Sequence, residues 1–283
     1  MKVRIFAFAD EASPQIDGQI AAMKRNGIDG LEMRGVDGTN VSDITPEKAK
    51  EVRKKLDDAG LVTWSIGSPL GKINIEDEFA PHLDKFKRTV ETALILGAEN
   101  IRLFSFYIHD GKNPLDFRGE VIDHLGAFCE AAKGSGVTLC HENEKGIYGD
   151  MADRCLEIVR TLPEIKNVFD PANYVQCGQD TLEAWKLLKP YTKYMHVKDA
   201  LSDSTVVPAG KGEGNVKAIV ADFIKAGGAD FTMEPHLRVF DGLAALEKAE
   251  GEKRKVSYAY SSNDEAFDVA VGAFRELLSE IGE

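Results

Sequence analysis

Short apolar stretches alternate along the chain with longer stretches whose apolar residues recur every three or four positions. The short stretches predict buried β-strands, and the longer ones predict amphipathic α-helices. Strands are predicted at 3–10, 28–35, 61–67, 99–106, 137–143, 166–170, 193–199 and 229–236. Helices are predicted near 14–27, 45–60, 77–96, 116–134, 150–161, 180–188, 215–226 and 264–282.

Glycine marks the end of several predicted helices, as in "NGIDGLE", "AGLVTW", "LGAENIR", "SGVTLC" and "GGADFT". In each segment a glycine stands shortly before an apolar strand, where the left-handed backbone of a helix C-cap favours it. Regular alternation of strand and helix indicates an α/β protein with a parallel sheet. Because the strand–helix unit recurs along the whole chain, we predict a single-domain (β/α)8 TIM barrel over residues 1–283, with an insertion or lid at about 237–263.

Charge and composition indicate which partners and which cellular location to expect. The chain has 283 residues and a formal net charge of -12, which disfavours general binding to nucleic acid or to an anionic membrane. The sequence contains no apolar run near the roughly 18 residues of a spanning helix, and its N-terminal stretch turns acidic too early for a signal peptide. The four cysteines form no CxxC pair and are predicted to be reduced. We therefore expect a cytoplasmic protein, with homo-oligomer formation left open.

The ends of the last four predicted strands carry residue types that bind metal ions. In a TIM barrel these ends meet at one mouth, where chemistry takes place. A single acidic residue there ordinarily caps a helix or faces solvent, and a single histidine ordinarily makes a hydrogen bond in the core. Four potential metal ligands at successive strand ends instead predict a divalent metal site, because three inward carboxylates repel one another without a cation. The candidate ligands are Glu142, Asp170, His196 and Glu234. Mn²⁺ is the expected ion, with Mg²⁺, Co²⁺ or Zn²⁺ as alternatives.

Four motifs on these strands, "HENE", "FDPANY", "MHVKD" and "MEPH", resemble in this order the xylose isomerase-like TIM-barrel superfamily, which includes the sugar phosphate isomerase/epimerase family. The resemblance covers nearly the whole chain. It implies that Glu142, Asp170, His196 and Glu234 bind one divalent metal ion. It also implies that Glu142 and Glu234 take up and return a proton at a substrate carbon while the metal stabilises an enediolate.

The sequence departs from the ketose 3-epimerase branch of that superfamily at three positions. Tyr148, Asn173 and Ser202 stand where that branch has Glu, His and Arg. The "HVKD" motif looks more like the inosose dehydratase and isomerase-like branches. The endonuclease branch binds three zinc ions with additional histidine ligands that this chain does not match, and xylose isomerase itself is longer and binds two metals.

Further candidates lie near the predicted mouth. Lys198 shares the inward face with His196 and is a candidate general acid, with a rim ion pair as its alternative. The candidate substrate-binding residues are His236, Asn173, Lys72 in "GSPLGKI", Arg102 and Trp64. Salt-bridge packing is the ordinary alternative for Arg102, and for Glu32 with Arg34, whereas Trp64 has a place in the core as its alternative. The segment "AGKGEG" (209–214) lacks the spacing of a P-loop and predicts no nucleotide site.

These observations predict a metal-dependent isomerase or epimerase of carbohydrate metabolism, acting on a small sugar or cyclitol with adjacent keto and hydroxyl groups. A metal-dependent dehydratase similar to inosose dehydratase is the first alternative, because it begins with removal of the same proton. A non-catalytic sugar-binding barrel that has kept its metal is the second. The identity of the substrate, and whether it is phosphorylated, is left open by the sequence.

Overall fold

Eight parallel strands close into a barrel in a computed structural model that describes residues 2–239 and 260–283. Neighbouring strands pair in the order β1-β8-β7-β6-β5-β4-β3-β2, and β2 closes the ring on β1. The strands are β1 (Arg4–Ala7), β2 (Gly30–Met33), β3 (Val62–Gly67), β4 (Asn100–Leu103), β5 (Thr138–Glu142), β6 (Ile165–Phe169), β7 (Thr192–Val197) and β8 (Asp230–Met233). The predicted (β/α)8 barrel is therefore confirmed.

Helices surround this barrel and follow the predicted alternation. They are α1 (Ile16–Asn26), α2 (Pro46–Ala59), α3 (Phe79–Leu96), α4 (Arg118–Ala132), α5 (Ala152–Thr161), α6 (Pro171–Gln176), α7 (Thr181–Leu188), α8 (Val216–Lys225) and α9 (Asn263–Glu280). Within the described ranges, each helix is too short or too polar to cross a membrane.

Helix α2 shows how local sequence sets the boundaries of an element. The side chain of Thr45 accepts a hydrogen bond from the backbone N–H of Lys48, and Pro46 occupies the first turn, where its missing N–H costs nothing. Gly60 ends the helix with a φ of 72°, a left-handed conformation that suits glycine. Gly27 and Gly97 end α1 and α3 in the same left-handed conformation.

Several strands are shorter than predicted, and two of these differences shape the mouth of the barrel. The strand predicted over 3–10 ends at Ala7, and the chain turns through a single 3-10 turn at Ala9–Glu11. The strand predicted over 229–236 ends at Met233, which leaves Glu234 just beyond the sheet. The insertion predicted at 237–263 falls mostly on residues 240–259, which lie outside the described residues.

Aromatic side chains fill the barrel interior below the mouth. A separate buried cluster contains Phe6, Trp64, Cys140, Val168 and Tyr194. The rings of Phe6 and Trp64 stack with centroids 4.8 Å apart, and the guanidinium of Arg4, the first residue of β1, lies 4.6 Å from the Trp64 ring centroid. Trp64 therefore lies towards the N-terminal end of the barrel and forms part of its floor. The buried indole is packed against other side chains on its faces, in the core position that the sequence predicts as the alternative to a sugar-binding role.

Candidate metal centre

Four buried side chains converge at the mouth of the barrel. Glu142 ends β5, Asp170 follows β6, His196 lies on β7 and Glu234 follows β8. One ligand atom from each residue lies within 4.8 Å of the others. The structure thus brings together the four residues that the sequence proposes as ligands, although they come from four different strands.

The His196 imidazole presents different surroundings to its two nitrogen atoms. Nδ1 lies 3.0 Å from Oε1 of Glu142 and 3.4 Å from Oε2 of Glu234, so it faces the other candidate ligands. Nε2 lies 3.1 Å from Oε2 of Glu32, on the opposite side of the ring. Nδ1 is therefore the nitrogen placed to bind a metal ion.

Two buried cations contact the same carboxylates. Nη1 of Arg102 lies 3.1 Å from Oε2 of Glu142. Nζ of Lys198 lies 2.7 Å from Oδ2 of Asp170 and 2.8 Å from Oε2 of Glu234. Both cations are almost fully buried, so water screens these pairs far less than it screens surface ion pairs.

Carboxylates outnumber cations in the buried region around the mouth. Its acidic members are Asp10, Glu11, Glu32, Glu142, Asp170 and Glu234, and its basic members other than histidine are Arg34, Arg102 and Lys198. Burial raises the pKa of Asp170 to about 7; Glu234 and Glu142 add to this rise, and Lys198 opposes it. A divalent cation would stabilise these carboxylates in their ionised form, and three carboxylates with one imidazole form a donor set suited to such an ion.

The comparisons agree with this architecture. A family described as xylose isomerase-like TIM barrel matches residues 20–252. The chain belongs to this family. No curated protein sequence matches it.

Solved structures share the xylose isomerase-like barrel at low sequence identity. The IolI protein with a bound zinc atom has a TM-score of 0.76 and 17% identity, covering 99% of both chains. The probable 3-DHS dehydratase AsbF from Bacillus anthracis has a TM-score of 0.73 and 15% identity, covering 97% of this chain and 99% of its own. An L-ribulose 3-epimerase has a TM-score of 0.74 and 18% identity, covering 99% and 96%. At these identities the likeness establishes the fold.

A second buried ionic cluster adjoins the four residues in this xylose isomerase-like barrel. Arg34 donates to both carboxylate oxygens of Asp10, at 2.9 and 3.0 Å, and to Oε1 of Glu11 at 3.1 Å. Its Nη1 also lies 3.4 Å from Oε1 of Glu234. Burial raises the pKa of Glu11 to about 8 against the effect of Arg34. Sequence reasoning missed Asp10 and Glu11, although an acidic pair at the end of the first predicted strand was a usable signal.

His236 joins this second cluster through Glu11. Oε2 of Glu11 accepts the backbone N–H of His236 at 2.6 Å, and Oε1 lies 3.3 Å from the ring atom Nε2. His236 has a φ of 45°, which is uncommon for a residue with a side chain. His236 also lies beside Glu234, and Nε2 of its ring is 3.5 Å from Oε1 of that glutamate.

Two other predicted substrate-binding residues occupy different positions. Nδ2 of Asn173 donates to the backbone oxygen of Asn143 at 2.8 Å and lies 3.4 Å from Oε1 of Glu142. Asn173 therefore adjoins the candidate metal ligands. Lys72 pairs with Glu144 at 2.7 Å, and its Nζ lies 4.3 Å from the ring centroid of Phe104. Lys72 therefore contacts a neighbouring loop.

The glycine-rich segment at 209–214 encloses a carboxylate of the chain itself. Asp199 accepts backbone hydrogen bonds from Gly210, Gly212 and Gly214, each at 2.9 Å. A Cβ atom added to Gly212 would lie 2.4 Å from Oδ1 of Asp199. The turn is thus a structural support for the loop after β7.

Proposed function

We propose that the protein is a divalent-metal-dependent isomerase or epimerase that transfers a proton at a carbon atom of a small sugar or cyclitol in the cytoplasm. The observation that carries this proposal is the convergence of Glu142 and Glu234 with Asp170 and His196 at one buried point. In the barrel, β6 and β7 separate the strands that bring the two glutamates. The glutamates thus approach the shared point from different sides.

The four converging residues would hold the metal ion, with Mn²⁺ as the expected ion and Mg²⁺, Co²⁺ or Zn²⁺ as alternatives. When bound, the ion acts as a Lewis acid that makes a C–H group next to a carbonyl more acidic. The similar IolI structure contains a zinc atom, which supports the presence of a metal site in this barrel.

The surroundings of the two glutamates support roles in proton transfer. Burial disfavours the ionised form of Glu234, but Lys198 and His236 outweigh it and hold the pKa of this carboxyl well below its usual range. Glu142 is held by Arg102 on one oxygen and faces His196 with the other. An ionised carboxylate in a fixed position can accept a proton from carbon, and a counterpart that carries a proton can return one.

Binding of the substrate would involve groups that adjoin these glutamates. Arg102 and Asn173 lie against Glu142, and His236 lies against Glu234. We propose that these three residues contact hydroxyl or carbonyl oxygens of the substrate. Lys72 would contact the more distant end of the substrate from the loop after β3. Among the similar structures, an L-ribulose 3-epimerase supports a small sugar as the substrate class.

A dehydratase is the second candidate, and the position of Lys198 favours it. Its ammonium lies 2.8 Å from Glu234, so a proton donor stands next to a candidate base. If Glu234 removes the proton next to the carbonyl, Lys198 can protonate a departing β-hydroxyl group, and water is lost. The similar structure of AsbF, a probable 3-DHS dehydratase, supports this alternative.

Hydrogen exchange at carbon tests the proposal. The protein is incubated in D₂O with Mn²⁺ and a panel of ketoses and keto-inositols, and products are followed by mass spectrometry and NMR. A product that has gained deuterium but has not lost water supports an isomerase or epimerase. A product that has lost water supports the dehydratase. Sugar binding that survives metal removal, without exchange at any carbon, would contradict both and leave a sugar-binding barrel.

A further inference from the structure

Glu32 is a fully buried carboxylate on β2, a strand that carries none of the four candidate ligands. Its Oε2 atom lies 3.1 Å from Nε2 of His196. Its Oε1 atom accepts a hydrogen bond from the hydroxyl of Tyr194 at 2.8 Å and one from Oγ of Ser65 at 3.3 Å. Each oxygen of Glu32 therefore has its own polar contacts, and those on Oε1 leave Oε2 directed at the imidazole.

A neutral imidazole carries its single proton on one nitrogen and offers a lone pair on the other. At His196, a carboxylate faces Nε2, while Nδ1 faces the point where Glu142 and Glu234 converge. A carboxylate accepts hydrogen bonds and cannot donate them when ionised, so it favours the tautomer with the proton on Nε2. In that tautomer the lone pair of Nδ1 points at the metal position.

We infer that Glu32 is a positioning residue, which fixes the Nε2–H tautomer and ring orientation of His196 and so presents Nδ1 to the metal ion. This inference rests on the proposed metal site. Tyr194 supports Glu32 and precedes His196 by two residues on β7, so one strand supplies both the ligand and a support for its partner. A carboxylate behind a ligating histidine also increases the basicity of that ligand.

The first test compares metal affinities. Dissociation constants for Mn²⁺ and Zn²⁺ are measured by competition with a fluorescent chelator, which requires no substrate. We expect Glu32→Gln to weaken binding by about 10- to 100-fold. Glu144→Gln is the matched control, because it removes a largely buried carboxylate whose partner is Lys72, and its dissociation constants should stay close to those of the wild type.

Tyr194→Phe is a second variant that keeps the Glu32 carboxylate and removes one hydrogen bond to it. We expect a smaller loss of affinity than in Glu32→Gln. This variant keeps the inference open to refutation if Glu32→Gln does not fold. Unchanged affinity in Tyr194→Phe would then count against a positioning role for this network.

The second test observes the imidazole directly. In Zn²⁺-loaded protein labelled with ¹⁵N-histidine, His196 should show a metal-bound Nδ1 and a protonated Nε2, with the signals assigned by their loss in a His196→Gln variant. In Glu32→Gln the Nε2 proton should exchange faster with solvent. Metal bound through Nε2, or identical exchange in the two proteins, would overturn the inference. If the wild-type protein binds neither Mn²⁺ nor Zn²⁺, the metal site itself is refuted. If the wild type and Glu32→Gln bind these ions equally well, only the role of Glu32 is refuted.

Discussion

The ammonium group of Lys198 lies 2.7 Å from Oδ2 of Asp170, a candidate metal ligand on a neighbouring strand end. The same group lies 2.8 Å from Oε2 of Glu234, a second candidate ligand. A divalent metal ion bound at the proposed site would therefore share its carboxylate partners with Lys198. Because a buried carboxylate without a partner is costly, the lysine and such an ion would compensate the same charges.

This relationship predicts that the effect of Lys198→Met depends on metal. In a chelating buffer, the variant should lose about 3 to 5 kcal/mol of unfolding free energy, since two buried carboxylates lose a cation. At saturating Mn²⁺ the loss should be much smaller. Chemical denaturation in both buffers measures the difference, with Lys217→Met, in an exposed pair with Glu280, as the control. Equal losses in the two buffers would argue against shared partners.

Glu142→Gln should abolish proton exchange at carbon while the barrel stays folded. Removal of a general base typically lowers the rate about 10²- to 10⁴-fold, and the amide is also a poorer metal ligand. The rate is therefore measured in D₂O at saturating Mn²⁺, alongside circular dichroism and metal content. Glu130→Gln, at an exposed pair with Lys133 on α4, is the control. Exchange at the wild-type rate in a metal-loaded Glu142→Gln protein would remove Glu142 from the mechanism.

The pKa of Asp170 predicts opposite pH dependences with and without metal. Burial raises this pKa to about 7, above roughly 3.9 in an unfolded chain. Between these values the folded protein holds a proton that the unfolded chain has released, so the contribution of Asp170 to the unfolding free energy falls as pH rises from about 4 to about 7. A metal ion binds the carboxylate, so metal affinity should rise with pH over the upper part of this range.

Thermal denaturation at about pH 5.5 and about pH 7.5, in EDTA and in Mn²⁺, checks this prediction. Comparison with Asp170→Asn isolates Asp170 from other groups. One of them is His141, whose buried imidazole has a pKa lowered to about 3; its contribution to stability is lost as pH falls below its unfolded value of about 6.5 and so has the opposite sign. The wild-type protein in EDTA should lose stability relative to Asp170→Asn as pH rises. A gain relative to that variant would contradict the raised pKa.

Trp64→Phe should lower stability without affecting substrate binding. The indole is buried against Phe6 and Tyr194, so the smaller ring should cost about 1 to 3 kcal/mol of unfolding free energy. KM should stay at the wild-type value, whereas His236→Gln at the mouth should raise it. A changed KM in Trp64→Phe at unchanged stability would place the indole at the substrate after all.

The sequence predicts that Glu142, Asp170, His196 and Glu234 converge, as they do in the structure, because two simple regularities determine their placement. Strand ends of a parallel barrel meet at one mouth, and parity decides which side chains point inward. The depth of a side chain along the barrel axis is harder to predict, since it depends on the stagger between neighbouring strands. The register between β2 and β3 shifts at Leu31/Glu32, so sequence position alone does not show that Trp64 lies in the floor.

The contacts of Glu32 and Glu11 illustrate a second limit. Glu32 meets His196, which lies 164 positions away in the sequence, and no local pattern connects the two. Glu11 reaches the mouth because the chain leaves the sheet after Ala7 and turns at Ala9–Glu11, a region whose apolar residues predict a longer strand. Both carboxylates thus depend on the closed barrel for their partners.

The turn around Asp199 has a consequence for the choice of substrate. TIM barrels frequently bind phosphate with the loops that follow strands seven and eight, and here three glycine N–H groups of that region already donate to Asp199. Asp199 thus acts as an internal anion for these N–H groups. As long as its carboxylate accepts their hydrogen bonds, the three groups are not available to the phosphate group of a sugar.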